Sequence, residues 1–165
     1  MAQSENNTGS GQGMLVVIDR GVVDCDRLAA AALPGAAVLV LDVGQDAIAQ
    51  ITAALHHSPV PFVSLHIVVK ASPGILHFAS GDFSLKTLGT YVDQLKAWFT
   101  HNSASPNLLN PKIFLYSDRA GKENAGLELV DTLTWITGAT VVTTPLQGES
   151  ERGVLKSQSS DQLAF

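Results

Sequence analysis

The charged side chains that close the apolar runs of this chain are the ones best placed to do chemistry. Lys70 ends "FVSLHIVVK" (residues 62–70), Asp19 ends "MLVVID" (14–19), Asp42 ends "AAVLVLD" (36–42) and Asp118 ends "KIFLYSD" (112–118). An ammonium beside a carboxylate forms an ion pair, worth about 0–1 kcal/mol when exposed. Converging carboxylates could instead hold a divalent cation through their oxygens. On this basis Asp19 and Asp42 are the weak metal candidates. Cys25 lies in "VVDCDR" at a helix start, a place that lowers a thiol pKa, but Asp24 and Asp26 oppose the effect and packing is the better reading. His56 and His57 close a helix and cannot face one ligand together. His66 sits mid-strand and reads as a bonded sheet histidine. His77 and His101 have no partner at zinc spacing.

Those groups must be positioned by an alternation of strands and helices. Apolar runs at 14–19, 36–42, 62–70, 112–118 and 140–144 read as buried strands. Between them, 26–33, 45–57, 84–100 and 124–138 read as helices. The clearest is 84–100, where Leu85, Leu88, Val92, Leu95 and Phe99 recur at three and four, with Ser84 as N-cap. Gly138 stops the last helix. Residues 74–83 read as an extended excursion after the Pro73-Gly74 turn. Continuous apolar strands joined by helices predict an α/β fold, a three-layer sandwich with a mostly parallel sheet covered on both faces. Ligand sites in such sheets lie beyond the carboxyl ends of the strands.

The 165 residues make one domain, with 45% hydrophobic and only 15% charged residues. A sparsely charged surface points to cover by a protein partner. The net charge of −5 without a Lys/Arg run argues against nucleic acid. No apolar run reaches membrane-span length. The start, "MAQSENNTGSGQG", is no Sec signal, so the expected location is the cytoplasm, a particle, or export by a signal-independent route. One cysteine excludes an internal disulfide. Residues 1–13 read as a flexible N-terminal arm, 14–146 as a single α/β domain and 147–165 as a polar C-terminal arm. In the second arm Leu163 and Phe165 are the apolar anchors for a partner.

Three stretches, "HIVVKASPG" (66–74), "IFLYSDRAG" (113–121) and "ITGATVVTT" (136–144), make the chain similar to a bacterial domain family of uncharacterised function. That family often stands at the N-terminus of large secreted adhesin-like proteins with cadherin-type or RTX-type repeats. Its members read "HIVSHGxPG" and "LLYGCNVA" at the third and fourth strands. The resemblance spans roughly residues 14–146. It implies a caspase-like or flavodoxin-like fold and a His–Cys dyad like that of caspase-like cysteine peptidases. Here Lys70 stands at the His position and Asp118 at the Cys position, so the dyad is lost and an ion pair is expected in its place. The strand-end acids also resemble a response-regulator pocket, but there the lysine comes on the last strand. "RAGKENAG" (119–126) lacks the spacing of a phosphate-binding loop.

The expectation is therefore a catalytically dead relative acting as an interaction or assembly module, a structural subunit of a larger particle or surface layer. Its partners would be proteins, copies of itself among them, with no cofactor. The alternatives are an enzyme rebuilt around Lys70, Asp118 and Ser117, or a small-ligand or metal-binding domain using Asp19 and Asp42.

Overall fold

The structure, a computed structural model, describes residues 13–32, 34–59, 61–99, 111–117 and 123–144. Its elements are β1 (Met14–Ile18), α1 (Cys25–Ala30), β2 (Ala37–Val40), α2 (Ala47–His57), β3 (Ser64–Val68), β4 (Lys70–Ser72), β5 (Ile75–Phe78), β6 (Gly81–Ser84), α3 (Leu85–Ala97), β7 (Lys112–Tyr116), α4 (Glu123–Thr137) and β8 (Thr140–Thr144). Five strands form a parallel sheet in the order β2-β1-β3-β7-β8. A second, antiparallel sheet, β4-β5-β6, is inserted between β3 and α3.

Strand alternation divides the parallel sheet into two faces. Leu15, Val17, Leu65, Ile67, Ile113 and Leu115 pack with Ile48, Ile51 and Leu55 of α2, Leu88 and Leu95 of α3, and Leu129 and Leu133 of α4 in the larger core. On the other face Val16, Ile18, Val68 and Tyr116 pack with Cys25, Leu28 and Ala29 of the α1 segment. The result is a mixed α/β sandwich with a largely parallel sheet. Its cover is unequal, because α1 has six residues and none of them is buried.

Helix ends follow local chemistry. Asp46 caps α2, its side chain accepting from the Ala49 N–H at 2.9 Å. Ser84 caps α3 in a capping box with Thr87. Gly138 leaves α4 with φ of 75°.

The structure corrects two strand readings. The run 36–42 is not a buried strand, since β2 ends at Val40 and lies at the sheet edge with Val38 exposed. The run 62–70 is not one strand either. β3 ends at Val68, and Lys70 opens β4 of the antiparallel sheet. The apolar run is continuous because Val69 is buried where the chain leaves one sheet for the other.

The β4–β5 turn is Pro73-Gly74, and Gly74 has φ of 78°, the arrangement of a type II turn. A Cβ on Gly74 would lie 2.8 Å from Ala125 Cβ and 2.9 Å from its carbonyl oxygen at the start of α4. Gly74→Ala is therefore expected to destabilise the fold by at least about 1–2 kcal/mol for the left-handed backbone alone. The backbone contact adds to that, and urea denaturation would measure the sum. An unchanged midpoint would show that the turn can both leave the left-handed conformation and draw away from α4 without cost.

Candidate functional site

The strand-end acids are committed to the backbone. Asp19 is 1% exposed. Its Oδ2 accepts from the Gly21 N–H at 2.8 Å, and both its oxygens accept from the Ala79 N–H, at 2.9 and 3.1 Å. One carboxylate thereby ties the end of β1 to the β5–β6 turn. Asp42 is exposed, and its carboxylate accepts from Gly44 N–H at 3.1 Å and Gln45 Nε2 at 3.5 Å. Among the described residues no group of three His, Cys, Asp or Glu side chains is arranged to hold a metal ion.

Lys70 is exposed, and its Cδ lies 3.9 Å from where a Cβ on Gly21 would stand. β3 and β7 are neighbours, with Val68 level with Tyr116. Asp118, the expected partner of Lys70, lies outside the described residues. So do Leu163, Phe165 and His101, together with the C-terminal arm and all of the N-terminal arm but Gly13. Cys25 is half-buried at the start of α1, with Sγ 4.0 Å from Asp26 Oδ1.

His66 is a bonded sheet histidine, as its position suggests. Its Nδ1 is 2.9 Å from the Tyr116 hydroxyl and its Nε2 3.3 Å from Ser64 Oγ. The ring stacks on Phe114, directly across the β3–β7 register, with centroids 4.6 Å apart. Burial lowers the imidazole pKa to about 4 and pushes the Tyr116 phenol up to about 12. Tyr91 donates to Asp46 Oδ2, and that hydrogen bond, followed by burial and the carboxylate's charge, raises the phenol pKa.

The constellation that the sequence reading missed lies on the small antiparallel sheet. His77 stands directly opposite Lys70 on one side and Asp82 on the other. Directly paired residues of antiparallel strands share a face, so Lys70, His77 and Asp82 form a row, with Ser72 diagonal to His77 on the same face. His77 Nδ1 is 2.8 Å from Asp82 Oδ1, and His77 Nε2 is 2.7 Å from Ser72 Oγ. Zinc spacing was the wrong test for His77. The usable signal was the two-residue Pro73-Gly74 turn, which sets the register that brings these side chains together.

The matched family model covers residues 15–154 and is described as Domain of unknown function (DUF4347). The chain belongs to that family. No curated protein and no solved structure matches it.

Proposed function

We propose that this domain works by association, as an interaction or assembly module that has given up thiol–imidazole chemistry. The observation that carries the reading is the outer side of α4. There Leu127 is 57% and Trp135 82% exposed, with exposed Asp131 between them at four-residue spacing. Large aromatic side chains open to solvent dominate binding energy when an interface covers them. Lys70 supports the loss of the dyad, because a lysine stands where the resemblance places the imidazole.

The finer fold reading, caspase-like or flavodoxin-like, rests on the strand order. Leaving out the inserted small sheet, β2-β1-β3-β7-β8 is the 2-1-3-4-5 order of doubly wound sheets. Among the described residues no helix is long and apolar enough to cross a membrane. The partners proposed are proteins, a second copy of this chain first among them.

Sedimentation over a concentration series tests this. The wild-type protein is expected to self-associate, and Trp135→Ala to weaken association by at least about tenfold, equivalent to about 1.4 kcal/mol. At concentrations low enough to keep both proteins monomeric the thermal midpoint should be the same, because the side chain is exposed. A chain that remains monomeric throughout, or a variant that associates as the parent does, would overturn the reading.

A further inference from the structure

We infer that Ser72, His77 and Asp82 form an acyl-transfer site on the open face of the β4-β5-β6 sheet, with small carboxylic esters as its substrate class. The inference is independent of association through α4.

The hydrogen-bond roles follow from the acceptor. An ionised carboxylate can only accept, so His77 Nδ1 carries a proton and donates to Asp82 Oδ1. In the neutral ring Nε2 is then the acceptor, and the Ser72 hydroxyl donates to it. This is the polarity of a serine nucleophile, an imidazole base and a carboxylate that holds the base in the right tautomer. The three side chains come from three adjacent strands, so the register that pairs the strands also fixes the distances. Asp82 is the positioning residue. Lys70 stands in the same row, directly across from His77, and adds a positive charge to this face of the sheet. The face is open, with the His77 side chain 37% and the Asp82 side chain 60% exposed. That openness suits a small, unhindered acyl group.

The chemistry balances without any further reactant but water. Ser72 Oγ attacks the acyl carbon as its proton passes to His77 Nε2. The tetrahedral oxyanion collapses, the carbon–oxygen bond to the leaving alkoxide breaks, and Nε2 returns the proton to give the alcohol. Water then attacks the acyl-serine, giving its proton to Nε2. The bond to Oγ breaks, Oγ takes that proton, and the carboxylic acid leaves.

The test uses the full chain with p-nitrophenyl acetate and with an alkyl fluorophosphonate. The second reagent forms an Oγ–P bond and releases fluoride. Expected results are phosphonylation at Ser72, located by peptide mass spectrometry, and turnover of the ester above the buffer rate. Ser72→Ala should abolish both, and His77→Gln should lower turnover by about 10²–10⁴-fold. Asp82→Asn should lower kcat by roughly tenfold or more with KM unchanged, a split that loosening of the hairpin would not produce. Each variant needs a circular dichroism spectrum matching the parent's. Should Ser72→Ala or His77→Gln unfold the chain, Ser72→Val, which suits a strand and has no hydroxyl, and His77→Asn take their places, with the same losses expected. Absence of labelling in folded wild-type protein would overturn the proposal. So would labelling elsewhere than Ser72, or labelling that survives loss of the imidazole. Any of these would leave the chain of bonds as a stitch between strands.

Discussion

Replacing Asp19 with alanine is expected to cost about 2–4 kcal/mol of folding free energy, the largest loss from any single polar group described above. The carboxylate is buried and holds the N–H groups of Gly21 and Ala79, on segments far apart in the chain. Alanine leaves those donors without their acceptor, and an orphaned buried donor costs about 1–3 kcal/mol. Ala79 itself is exposed, so water recovers part of its share. Asparagine is no remedy, since it keeps one acceptor oxygen but turns an amide N–H toward a donor. The fit is close on the other side as well, because a Cβ on Gly21 would stand 2.8 Å from Asp19 Oδ2. For a domain of this size the loss corresponds to a fall in Tm of roughly 5–15 °C. Hydrogen exchange gives the local readout, with Ala79 and the β5–β6 turn losing protection first. An Asp19→Ala protein as stable as the parent would mean that the hairpin docks through Leu76, Phe78 and Phe83 alone.

Asp19 also marks where sequence reading stops. Its position at the end of an apolar strand was legible, and strand-end acids are where ligand chemistry is sought. What occupies its oxygens was not legible, because the Ala79 donor arrives from 60 positions away through a hairpin whose docking no local pattern encodes. The helices were read well where an apolar stripe and a cap agreed, as in α3 with Ser84 and α4 with Gly138. Among the strands, 140–144 coincides with β8, while 62–70 reads too long and 36–42 both too long and too buried. Residues 36–42 are apolar whether the strand is central or at an edge, and only the sheet order separates the two cases. The break between β3 and β4 leaves no mark either, since a buried Val69 serves both sheets.

The Ser72–His77–Asp82 chain was within reach of the sequence. A Pro-Gly pair flanked by β-branched and aromatic residues predicts a hairpin, and the register Ser72↔Ile75 then puts His77 across from Lys70. The second short turn, at Ala79 and Ser80, sets Asp82 beside His77 in the same way. Reading 74–83 only as an extended excursion discarded that register. Zinc spacing along the chain, the ground on which His77 is set aside, is a test blind to cross-strand partners.

His66 is expected to make the fold acid-sensitive through a single imidazole. In the unfolded chain the group titrates near 6.5, and in the folded protein burial lowers it to about 4. A lowered histidine pKa means that the folded state refuses a proton the unfolded chain accepts. Above pH 6.5 neither state is protonated, and this group adds no pH dependence. As the pH falls below 6.5 the unfolded chain gains the proton first, and stability falls by up to about 1.4 kcal/mol per unit. By pH 4 the loss reaches roughly 3 kcal/mol, and it levels off below that as the folded protein titrates too. Carboxylates titrate in the lower part of the same window, so the wild-type curve alone does not isolate the imidazole. His66→Gln does, because glutamine can still bond the Tyr116 and Ser64 hydroxyls but takes up no proton. Urea denaturation at pH 7, 6, 5 and 4 should show the stability difference between the two proteins shifting by about 3 kcal/mol in favour of the variant. Parallel curves would mean that the stacked ring between Phe114 and Tyr116 accepts its proton without loss, and that burial at this site does not govern its charge.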